Sequence, residues 1–244
     1  MVKLPWSICG SIYTKMQLKN NFISWTRKAL SKTYCFLLKI KFKNVAHPDK
    51  EIYLSVDSIS WFVEDLVFRK YSFPGLVFAG KFWSRKKTKE KILLDSDKYK
   101  GIYQHFIGKV PWYNTDLFLN RYALVLKKKG SVKGCSSLLE LEQLYKAYDL
   151  MFQDIKKFGI RSSNVYKDID PIYIYIDRDG SLIYTSNGNH RLYICIVLGV
   201  HSIPVKVWAR HTGWQRKRDE LKLIGKECFY SKYPHLHGHP DLED

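Results

Sequence analysis

The sequence predicts an α+β domain: a small mixed sheet with helices toward its C-terminal end, elaborated by a helical N-terminal region. Three observations carry this. Leu138 to Phe158 has apolar residues at steps of three and four, the period of an amphipathic helix. Ile172–Ile176 and Ser181–Thr185 are strand-like runs around Asp177-Arg178-Asp179-Gly180, a hairpin-turn sequence. The order then runs turn (186–191), apolar helix to Leu198, Gly199, and a strand from Ile203 to Trp208.

The 244 residues divide on this reading into an N-terminal elaboration, 1–135, basic and mixed α/β, and a C-terminal domain, 136–244, packed as one compact unit. In chain order, Asn21 to Lys43 mixes apolar residues with lysines. It reads as an element packed on the domain or as a basic amphipathic segment for a membrane surface. Glu51–Val56 reads as a strand, and Asp57 or Ser58 as the cap of a helical turn through Trp61 and Phe62. Pro74–Gly80 is strand-like between glycines, and Ser84–Lys91 is a dense basic run expected to be a solvated loop. Ser96–Ile107 and Thr115–Leu126 read as helices, the second capped by Thr115 with Asp116 beside it, and closed by Lys127–Gly130. Ser137 and Glu140 form a capping-box pair ahead of the long helix, which ends at Gly159. Its stripe is core packing. Another helix is expected after Arg210.

A net charge of +18 suits either solvated lysines or an anionic partner: nucleic acid, nucleotide, membrane surface or glycan. Five cysteines without a C-x-x-C pair predict reduced thiols, with Cys195 a buried small hydrophobe. No run reaches membrane-spanning length, and the N-terminus makes a poor signal peptide, so a cytoplasmic location is expected.

The chemistry concentrates at Asn187-Gly188-Asn189-His190-Arg191. A glycine turn between strand and helix puts a helix N-terminus at an anion site. Arg191 suits phosphate oxygens, and His190 is read as a phosphate contact, with acid–base or core roles open. Arg210, His211 and Arg216, with Trp214, Lys217 and Arg218, form a basic cluster that lines the anion site, contacts nucleic acid, or is a solvated helix face. Asp177 and Asp179 read as hairpin-turn residues. His235, His237, His239 and Asp241 alternate like a chelate, but a tail strapped back on the fold fits better, and no metal site is assigned.

The turn, the apolar helix, Gly199 and Ile203-Pro204-Val205 resemble the ParB/sulfiredoxin superfamily over about 50 residues, 171–220. Upstream, Gly75-x-Val77 with Gly80 and Trp83, Pro111-Trp112 with Thr115-Asp116, Gly134-Cys135, Phe158-Gly159-Ile160, Val207 to Trp214 and His239-Pro240-Asp241-Leu242 resemble an uncharacterised ParB-like group of archaea, bacteria and phages. The resemblance implies phosphate binding by residues 187–191 and ATP or another NTP with Mg²⁺. It implies a nucleotide-binding protein, and at the furthest an NTP-dependent phosphotransferase. The alternative is a DNA- or RNA-binding protein, nucleotide-gated or not, without catalysis. A membrane- or glycan-associated accessory protein is a third reading. Asn189 stands where sulfiredoxins carry cysteine, which argues against sulfinic-acid reduction. Asn187 stands where kinase-like members carry an acid, so the catalytic base is not identified. Lys81, Phe82 and Ser84 stand where the group shows acids, and no helix-turn-helix follows the domain.

Overall fold

In a computed structural model, residues 26–27, 29–63, 72–126, 135, 137–165, 171–185 and 187–243 are described. They form a mixed α+β fold. Lys127–Gly130 and the leading part of the 21–43 segment lie outside these residues.

The elements are a helix over residues 29–41 (α1), β1 (Glu51–Leu54), β2 (Ile59–Phe62), β3 (Leu76–Phe78), β4 (Lys87–Thr88), α2 (Lys89–Asp95), α3 (Asp97–Phe106), α4 (Asp116–Leu126), α5 (Leu138–Phe158), β5 (Ile172–Ile176), β6 (Leu182–Tyr184), α6 (Asn189–Leu198), β7 (Ile203–His211) and α7 (Thr212–Lys232). The strands make one sheet in the order β1-β7-β5-β6-β2-β4. β7 is its axis, and all nine of its residues are buried, as a strand covered on both faces requires. One edge of β7 pairs in parallel with β5. The other edge takes β1 antiparallel along its first half and β3 parallel along its last residues, in tandem. Pro204 is tolerated because the β5 pairing starts one residue later, at Val205. β2 runs parallel to β6. Strands from both sides of residue 135 therefore share one sheet.

Alternation on β5 divides the core. Ile172, Ile174 and Ile176 face a large cluster with Ile102 and Phe106 of α3, Leu117 and Phe118 of α4, the α5 stripe and Leu192 to Cys195 of α6. Tyr175 faces a smaller aromatic cluster with Trp83, Ile183 and Trp208. Phe106 and Phe152 stack at 3.8 Å between α3 and α5. Burial pushes the Cys195 thiol up to about 12, which fits an inert core residue. Cys35, Cys135, Cys195 and Cys228 form no disulfide.

Both hydrogen bonds of the Ser137–Glu140 capping box are present, and Gly159 ends α5 at φ 71°. Ser137→Ala should cost about 1 kcal/mol in chemical denaturation, because it strips one of these bonds from the start of the longest core helix. Thr115 accepts from the Phe118 N–H, as its cap role predicts.

Two expectations are corrected. Residues 56–58 form only a short 3₁₀ turn, and Ile59–Phe62 is strand β2, recruited by parallel pairing to β6 over its own turn preference. The basic run is not one solvated loop: Lys87–Thr88 is a strand, Lys89 starts α2, and Lys86 forms an ion pair with Asp177 at 2.6 Å. Asp177 is accordingly buried and not a solvent-facing turn residue.

Candidate functional site

The turn 187–188 lies where the C-terminal ends of β6 and β2 meet the start of β5. Gly188 is the N-cap of α6 at φ 73°, ψ 21°, the left-handed region that favours glycine. An added Cβ would stand 3.1 Å from Ile172 Cγ1 and 3.3 Å from the Pro171 carbonyl oxygen. Backbone conformation and close approach thus both require glycine. The Leu192 N–H donates to the Gly188 carbonyl at 3.0 Å and opens the helical ladder.

The turn is braced from beneath. The buried Tyr184 hydroxyl is 2.6 Å from the Asn187 carbonyl and also contacts the Asn189 side-chain oxygen. Asn187 Nδ2 reaches the Pro171 carbonyl at 3.4 Å. The His190 ring stacks on Tyr148 of α5 at 4.3 Å, with the planes 16° apart. Arg191 is 9% exposed and donates from Nη2 to the Arg161 carbonyl at 2.6 Å. Arg161 in turn pairs with Asp154 at 2.6 Å. Tyr148, Arg161 and Tyr184 carry no motif of their own. Tyr148 belongs to the α5 core stripe, and only the fold turns it to His190.

The first turn of α6 holds no acidic residue and no capping side chain. It holds His190 and Arg191 instead. Helix starts ordinarily take Ser, Thr, Asp or Asn at the cap and acids in the first turn, because the dipole is positive there. Two basic residues at that end reverse the rule.

The second basic cluster does not join this site. Arg210 pairs with Ile176 in the β5–β7 ladder, whereas Ile172, beneath Gly188, pairs with Val205. Val205 and Arg210 are five residue steps apart along β7, roughly 16 Å of extended chain. Arg210 and His211 are buried, so neither is a surface contact, and Arg216 alone of the three is exposed. Arg210 donates from Nε and Nη2 to the two oxygens of Asp241. Arg218 lies 3.2 Å from the same carboxylate, and Trp214 Nε1 donates to it at 2.8 Å. Burial works against ionising Asp241, but the Arg210 charge and its hydrogen bonds, with Arg218, hold the carboxyl well below the usual carboxylate range. His211 accepts the Gly213 N–H at 2.9 Å, and burial, then the Arg178 charge, lower its pKa.

The C-terminal tail is strapped back, as expected. His239 Nε2 is 2.9 Å from the Gly180 carbonyl, and its Nδ1 accepts the Asp241 N–H at 3.2 Å. A carbonyl only accepts, so the ring is the neutral tautomer with its proton on Nε2. Among the described residues no group of three His, Cys, Asp or Glu side chains is arranged to hold a metal.

A groove of about 470 Å³ lies between α3 and α5, lined by residues that include His105, Lys109, Asp149 and Lys156. Both His105 nitrogens face protein oxygens, the Val110 carbonyl at 2.8 Å and Asp149 at 3.0 Å, so the ring pins the groove wall. Among the described residues no helix is long and apolar enough to cross a membrane.

Comparison with protein-family models, with curated proteins and with solved structures returned no match.

Proposed function

We propose that this protein binds a phosphate group, most simply that of a nucleotide, at the N-terminus of α6. The observation that carries the reading is the reversed charge pattern of that helix start: a left-handed glycine cap, no acid in the first turn, and His190 and Arg191 at the positive end of the dipole. A phosphate there would offset the repulsion between the dipole and the two basic side chains. Arg191, already oriented by the Arg161 carbonyl, would act as an inner charge, with His190 at the rim.

The resemblance to the ParB/sulfiredoxin superfamily belongs to this proposal, as do a phosphotransferase activity and the choice of ATP over other NTPs. The residues present fit a phosphate but not a protein-held Mg²⁺, which favours carboxylate ligands. Asp177 and Asp179 lie at the hairpin end of β5 and β6, opposite the turn, and Asp177 is committed to Lys86. Mg²⁺ would therefore arrive on the nucleotide. Binding without catalysis is the core of the proposal. Arg210 and Arg218 do not carry the nucleic-acid alternative, because both pair with Asp241, and that alternative rests on the remaining basic surface.

The test is a thermal-shift titration with ATP, CTP, GTP and inorganic phosphate. A dose-dependent rise in midpoint is expected for at least one of them. His190→Glu should reduce that ligand's affinity about tenfold or more while leaving the unliganded midpoint unchanged or higher, since the dipole favours an acid at this position. Absence of any shift, or a shift that His190→Glu leaves intact, overturns the reading.

A further inference from the structure

Helix α1 presents two faces. Ser31, Cys35, Leu38 and Phe42 are buried. Ser31 Oγ donates to the Pro74 carbonyl and Tyr34 donates to the Val77 carbonyl at 3.2 Å, which fixes the helix against β3. The opposite face is largely apolar, with exposed Thr33 in its middle. Leu30, Phe36, Leu37 and Ile40 are exposed, Ile40 at 78% and Phe36 at 69%. At 100° per residue these four span an arc of roughly 120°. Exposed Lys41 flanks one side of the arc, and exposed Lys32 and Lys39 flank the other. The first 48 residues contain no Asp or Glu at all. Near the C-terminal end of α1, Lys39 and Lys43 share a cleft with Lys222 of α7, and the next residue of α7, Leu223, is 82% exposed.

We infer that α1 docks this protein on an anionic lipid surface, its outward apolar arc entering the acyl boundary and its lysine rim resting on the headgroups. The arc and the rim select this occupant together. A polyphosphate backbone matches the lysines but offers Phe36, Leu37 and Ile40 nothing to bury against. A second copy would bury the arc but, in a two-fold contact, would set the same lysine rim against itself. An anionic bilayer accommodates both, because interfacial helices combine a wide apolar face with flanking lysines. This inference is independent of the phosphate site.

The test uses the full chain with phosphatidylcholine vesicles, with and without phosphatidylserine, separated by sedimentation. The protein should pellet with the phosphatidylserine vesicles and be released as salt rises. Phe36→Ser with Ile40→Ser should lower the partition coefficient more than tenfold, since each exposed side chain gives up its apolar burial. Both sites are exposed, so the thermal midpoint should not fall, and His190→Glu should pellet like the parent chain. No pelleting, equal pelleting without phosphatidylserine, or pelleting undiminished in the double variant would overturn the inference. So would an unpelleted dimer that the double variant splits in sedimentation velocity, which would assign the face to a second copy. DNA retention lost in the double variant without pelleting would assign it to nucleic acid.

Discussion

Asp241→Asn is expected to lower the thermal midpoint on the order of 10 °C, about 3–5 kcal/mol, the largest single-site loss in this molecule. The substitution keeps the shape of the side chain and removes its charge. It would leave the guanidinium groups of Arg210 and Arg218, both buried, without their shared counter-charge. It would also weaken the acceptor for Trp214 Nε1 at the start of α7. Differential scanning calorimetry of the full chain measures the effect. A loss below about 1 kcal/mol would mean that the pair merely breaks even in place. The same cluster sets a pH dependence. The folded pKa of Asp241 lies below its unfolded value, so its stabilisation is complete above about pH 4 and is lost as pH falls. His239 and His211 have folded pKa values lowered first by burial, so the unfolded chain takes up their protons first as pH drops below about 6.5. Both contributions have one sign: urea midpoints should decline from about pH 6.5 downward and steepen below about pH 4.

Gly188→Ala should be the next most damaging change, about 1–3 kcal/mol, and should remove the proposed phosphate binding with it. Alanine there must adopt φ near 73° and place its methyl 3.1 Å from Ile172 Cγ1. Gly199 supplies the control. It has nearly the same left-handed conformation, φ 64° and ψ 36°, but nothing lies within 4 Å of an added Cβ. Gly199→Ala therefore pays only the conformational cost, and the difference between the two unfolding free energies isolates the crowding at the turn. If the two cost the same, β5 does not press on the turn.

The sequence made most elements legible where one local rule dominated. The capping box, the 3.6-residue stripe and Gly159 define α5, and the alternating runs around Gly180 define the β5–β6 hairpin. It failed where partners far along the chain decide. Ile59–Phe62 is a strand only because β6 offers an edge. Arg210, His211 and Asp177 look like surface polar residues in any local window, and burial follows from Asp241 and Lys86 arriving from distant positions. At the candidate site the glycine turn was readable from the local order of strand-like run, glycine and apolar helix. Its braces, Tyr184, Tyr148 and the Arg161 carbonyl, were not, because one sits in an apolar strand, one in a core stripe and one is a backbone atom.

The tandem placement of β1 and β3 on one edge of β7 has a consequence for synthesis. Glu51 to Leu54 find their backbone partners at Lys206 to Ile203, roughly 150 residues later. At ordinary elongation rates the ribosome needs about 10–30 s to bridge that interval. Throughout it, the first half of the nascent chain exposes strand edges and the apolar residues that β7 will later cover. Completion of this sheet is thus timed by translation of its C-terminal third, and slow codons or truncations there should send the unfinished chain to chaperones or aggregation before any site can form.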